Sequence, residues 1–82
     1  MGVFDGKDGD FIRNNAAENV RIELLTGNIS KRKAYVIAKG APNNENAQNA
    51  ALVKAKSMSA DELKIFVEIL ATRFSQEEKT RL

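Results

Sequence analysis

Val20-Arg21-Ile22-Glu23-Leu24 alternates apolar with charged side chains, and the reading of those five residues decides the fold. A period of two marks a half-buried strand. A helix over 11–25 would instead scatter its apolar residues almost all round. The alternation therefore predicts a strand near 20–25, closed by the turn chemistry of Thr26-Gly27-Asn28. Ala34-Tyr35-Val36-Ile37-Ala38-Lys39 extends the pattern with β-branched and aromatic residues, giving a strand near 33–39. Read the other way, the same run is a short helix begun by Ser30 and stopped at Gly40. A third strand near 51–57 follows from Ala51, Val53 and Ala55 on one face, with Lys54 and Lys56 on the other.

The C-terminal segment is clearer. Ser59 with Glu62 three residues later forms a capping box, and Met58 with Leu63 forms a hydrophobic staple across it. Asp61 and Glu62 fall where the helix dipole favours negative charge. At about 100° per residue, Ala60, Leu63, Phe66, Val67, Leu70, Ala71 and Phe74 share one arc, so 59–74 is an amphipathic helix. Ile65 and Ile69 form a second ridge on its other side, to be covered by the rest of the chain or by another copy, or simply left exposed. Ser75 with Glu78 repeats the capping pattern, for a separate turn or a continuation.

Two architectures fit. The expected one is α+β: a small three-stranded antiparallel meander packed on the C-terminal helix. The alternative is all-α, a compact bundle of four helices near 11–25, 30–39, 44–56 and 59–74. Residues 41–49 hold the single proline and four asparagines and read as a polar loop, with Asn43 as a helix cap in the bundle. Residues 1–10, with three glycines and three aspartates, read as a flexible lead to a single domain over 11–82. In the bundle, Asp10 caps the helix that follows. Lys7-Asp8-Gly9-Asp10 resembles part of a calcium loop. In that frame Gly6, Phe11 and Ala17 stand where ligands and the obligatory glycine belong, so no calcium site is expected.

Composition narrows the function. Eleven of the 35 apolar residues are alanine, so the core is lean and association would help it. With no cysteine and no histidine, a disulfide framework, a thiolate metal site and the commonest general base are excluded. The five glycines match no phosphate or dinucleotide loop. No enzyme, cofactor or small-molecule substrate is expected. The chain has no apolar run of membrane-spanning length and no signal-peptide pattern at its start, which suits a cytoplasmic protein.

Charge is unevenly spread. Residues 1–28 carry a net −2, residues 29–58 a net +5 and residues 59–82 a net −1. The excess lies in Lys31, Arg32, Lys33, Lys39, Lys54 and Lys56, with Tyr35 among them. On a sheet, Lys33, Tyr35, Ile37 and Lys39 would share one face, joined by Lys54 and Lys56 if the register allows, able to hold phosphates and stack a base. On a bundle, Ser30-Lys31-Arg32-Lys33 would open a helix towards a phosphate backbone. The expected function is a non-enzymatic basic module binding nucleic acid through 31–56. The alternative is a self-assembling interaction module using Ile65 and Ile69, its basic segment steering an acidic protein surface.

Overall fold

Val20 and Leu24 lie four residues apart, and they share the buried face of a helix while Ile22 between them points outward, 46% exposed. The computed structural model describes residues 4–81, with side chains described through Phe74. Its elements are α1 (Gly6–Asn15), α2 (Glu18–Leu25), α3 (Lys31–Gly40), α4 (Glu45–Lys54) and α5 (Ala60–Arg81). No strand occurs among the described residues, which overturns the three-stranded meander. The third expected strand fails for the same reason as the first. Ala51 and Ala55 are fully buried four residues apart, and Val53 is 78% exposed. Apolar residues at i, i+2 and i+4 satisfy a strand, but the i, i+4 pair alone satisfies a helix.

The described residues form five helices rather than four, because 11–25 breaks at Ala16 and Ala17, both in extended conformation. Gly6–Asp10, which composition assigned to a flexible lead, form the first turns of α1, with Asp5 rather than Asp10 at its N-cap. Ser30 caps α3, its hydroxyl accepting from Lys33 N–H at 3.2 Å. Asn44, not Asn43, caps α4 by accepting from Ala47 N–H at 3.2 Å. Asn43 takes up the left-handed turn, with φ of 58°. After α2, Gly27 adopts φ of 80°, so Asn28 N–H reaches Glu23 C=O and Gly27 N–H reaches Leu24 C=O. That paired closure is the Schellman stop, and glycine makes it without a Cβ clash.

Alanine builds the interior. Ala34, Ile37 and Ala38 line the inner face of α3 with Ala41 just past its end, and Ala47 and Ala51 that of α4 with Ala55 just past its end. Leu63 and Val67 of α5 and Ile12 and Val20 of α1 and α2 supply larger buried volumes. Helix α5 packs on α3 and α4, α1 packs on α3, and α2 lies against α3 and α4. Small side chains let these backbones approach closely, most of all at Gly40, where an added Cβ would overlap Val67 Cγ1.

Among the described residues one polar side chain is fully buried. Gln48 of α4 accepts from Ala17 N–H at 2.7 Å and donates to Asn15 C=O at 2.7 Å and Ala41 C=O at 2.8 Å. It therefore serves α2, which has no capping side chain of its own, and clasps the α1–α2 corner to the end of α3.

The capping box of α5 is present as predicted. Ser59 Oγ accepts from Glu62 N–H at 3.2 Å, and Glu62 Oε1 accepts from Ser59 N–H at 3.0 Å. The Ser59 N–H donating to the carboxylate, with the Ser59 hydroxyl beside it, holds the Glu62 carboxyl below its ordinary value. A lowered folded-state pKa contributes stability above the unfolded value, about 4.5, and loses it as pH falls through the folded value. Glu62→Ala is therefore expected to lower the Tm at pH 7, and thermal melts in progressively more acid buffer should show the gap to wild type closing. The backbone helix continues unbroken through 75–81, while the side-chain half of the Ser75–Glu78 pattern lies outside the described residues.

Candidate functional site

Three contacts converge on the first turn of α3. Lys31 Nζ donates to Asp5 C=O at 2.9 Å, at the start of α1. Lys33 Nζ donates to Ala55 C=O at 2.8 Å, where α4 ends. Arg32 lies 3.6 Å from the Asp61 carboxylate in the first turn of α5. One end of the molecule thus gathers the beginnings of α1, α3 and α5 with the end of α4. Lys54 and Lys56 flank Ala55 in sequence and are exposed, so their backbone lies at this same end.

The chemistry of these contacts preserves the charge. A carbonyl oxygen orients an ammonium group without neutralising it, and each lysine keeps two of its three donors. Arg32 and Asp61 are both well exposed, so their attraction is weak and screened. The Glu62 carboxylate is folded onto its own helix cap. Around this end the basic residues Lys7, Lys31, Arg32, Lys33, Lys54 and Lys56 outnumber the acids Asp5, Asp8, Asp61 and Glu62, so it is positive.

Tyr35 and Lys39 are placed elsewhere. Lys39 is eight residues beyond Lys31, about 12 Å along α3. Its Nζ sits 5.6 Å from the centroid of the half-buried Tyr35 ring. On Tyr35 also packs Phe11 of α1, centroids 5.3 Å apart and tilted at 51°. With the sheet goes the basic sheet face with a stacking tyrosine that the meander implied. The ring lines a groove of about 540 Å³ between α3 and α5, with Arg32, Lys39, Asp61 and Lys64 around it.

Ile65 and Ile69 are 62% and 59% exposed, so the body of the protein does not wrap the outer side of α5. Glu68, Thr72 and Arg73 complete a shallow surface around them. A second apolar patch, Ile22 and Val53 beside Leu52, went unseen in the sequence because strand periodicity placed those residues in the core. Gln48 was also missed, since its polar neighbours suggested a loop. The only local signal was Asn44 standing three residues before Ala47, which is capping geometry.

Among the described residues no group of acidic side chains is placed to hold a metal ion, and no helix is long and apolar enough to cross a membrane. Fold and site together define a small five-helix protein with a positively charged end and an apolar outer ridge. No protein-family model, curated protein or solved structure matches the chain.

Proposed function

We propose that this chain is a non-enzymatic, cytoplasmic nucleic-acid-binding module that takes the phosphate backbone at the end of the bundle where α3 begins and α4 stops. The observation that carries this reading is the Lys33–Ala55 hydrogen bond, which brings residues 31–33 and 54–56 together from opposite sides of a 20-residue gap in the chain. Contacts to phosphate position a protein without reading sequence, so binding through these lysines is expected to be sequence-independent.

A fluorescent single strand and a duplex, titrated at two salt concentrations, test it. If about four phosphates are engaged, affinity falls roughly 100-fold between about 50 and 200 mM salt. Lys54→Gln with Lys56→Gln is the informative variant, because Lys33 also serves the α4 carboxyl end. It should weaken binding at least roughly tenfold and flatten the salt dependence by one or two contacts. Failure of the wild-type chain to bind either probe at low salt would sink the proposal.

A second reading, self-association through α5, is favoured by the exposure of Ile65 and Ile69 on one ridge. Its first measurement is solution mass at high protein concentration.

A further inference from the structure

We propose that a second copy of this chain covers the Ile65–Ile69 ridge, with the two α5 helices side by side and pointing in the same direction. The inference rests on the self-association reading and adds to it the partner's orientation and the residues that fix it.

Geometry comes first. At about 100° per residue, Ile65, Ile69 and Thr72 centre on the side of α5 opposite Leu63, Val67 and Leu70, which are buried in the bundle. Pairing along this ridge leaves each body pointing away from the other, so the core contacts of Leu63, Val67 and Leu70 survive. Spacings of four and three residues between 65, 69 and 72 are those of a coiled-coil seam.

Charge then selects the direction. Glu68 and Arg73 stand on opposite flanks of the ridge, five residues apart, and neither has an ion-pair partner among the described residues. In a same-direction pair, with Ile65 on Ile65 and Ile69 on Ile69, Glu68 of each copy faces Arg73 of the other, twice over. In an opposed pair like flanks meet, and Glu68 confronts its own copy across the two-fold axis. The same-direction pair does bring the two Glu62 residues close. Their carboxylates, however, are drawn back onto the Ser59 N–H groups and away from the seam. The arrangement has a consequence for binding: both positively charged ends lie side by side, facing the same way.

The chain contains no cysteine, so a single introduced thiol reports on the pairing without background. Thr72→Cys in the full chain, oxidised at low concentration, is expected to give a disulfide-linked dimer, because position 72 meets its own copy only in the same-direction pair. Mass measurement should show a wild-type dimer, and Ile65→Glu with Ile69→Glu, both exposed and so harmless to folding, should give a monomer. Glu68→Arg and Arg73→Glu should each weaken association roughly tenfold, and the two together should restore it. A wild-type monomer at high concentration would overturn both the self-association reading and this inference. A dimer that fails to cross-link through position 72 and is not restored by the double charge swap would overturn the orientation alone. A dimer that persists in the Ile65→Glu/Ile69→Glu variant would place the interface elsewhere.

Discussion

Gln48→Leu is expected to lower the unfolding free energy by about 3 kcal/mol, roughly 15 °C in Tm for a domain of this size. The figure follows from which groups lose a partner. Asn15 C=O retains a hydrogen bond from Asn43 N–H at 3.0 Å, and Ala41 C=O retains one from Asn44 N–H at 3.1 Å. Ala17 N–H keeps nothing among the described residues. An orphaned buried donor costs about 1–3 kcal/mol, and the two lost bonds to carbonyls add about 0.5–1.5 kcal/mol each. The apolar surface of the leucine recovers part of this.

Gln48→Glu separates the polar argument from a packing one. Its volume is almost unchanged, yet the donor facing two carbonyl oxygens becomes an acceptor. That carboxyl is held protonated by its surroundings, so its folded-state pKa is raised and the variant loses stability as pH increases. It should melt below Gln48→Leu at pH 7 and approach or pass it near pH 4. Thermal melts followed by circular dichroism decide the matter. A Gln48→Leu protein melting within a few degrees of wild type would mean that the clasp is dispensable.

Legibility in the sequence tracked the locality of the interactions. The α5 cap and its buried arc involve residues within a turn or two of each other, and both are present. Ser30 as a cap, Gly27 at a turn and Gly40 at the end of a helix were similarly visible. The sheet was a misreading of short windows. In Val20–Leu24 and Ala51–Ala55, five residues with apolar side chains at both ends and the middle fit a period of 2 and a period of 3.6 equally well at the ends. Only the middle residue distinguishes them, and Ile22 and Val53 carry apolar surface outward. Two such outward residues on α2 and α4 line one shallow patch, so the features that misled the fold assignment are surface features of their own.

The break between α1 and α2 was illegible for another reason. No glycine or proline marks it, and its stabilising partner is Gln48, 31 residues away from Ala17 in the chain. The charged cluster was legible as composition but not as geometry. Nothing local shows that Lys33 ends on the Ala55 carbonyl, or that Tyr35 is turned to Phe11 and Lys39 rather than to the remaining lysines.

Gly40→Ala is expected to destabilise the protein by about 2 kcal/mol, although the same change within an exposed helix would gain up to about 1 kcal/mol. Gly40 is the last residue of α3 and is not in the left-handed region, so conformational freedom does not explain it. Close approach does. The position a Cβ would take is occupied by Val67 Cγ1, with Val67 Cβ only 3.4 Å away. Val67 is fully buried and β-branched, and in a helix such a side chain is held strongly to one rotamer. The helices must separate instead. Val67→Ala alone opens a cavity, but combined with Gly40→Ala it should cost at least about 1 kcal/mol less than the two single changes added together. Additive losses in denaturant melts would refute the contact. The basic end offers an internal control. It lies about 12 Å back along α3 from Gly40, where Lys33 ties it to α4 and only the weak, exposed Arg32–Asp61 contact reaches α5. Gly40→Ala should therefore lower Tm while leaving the salt-dependent affinity for nucleic acid intact wherever the protein remains folded. Stability and binding fail together only if the α3–α5 spacing itself shapes the binding surface.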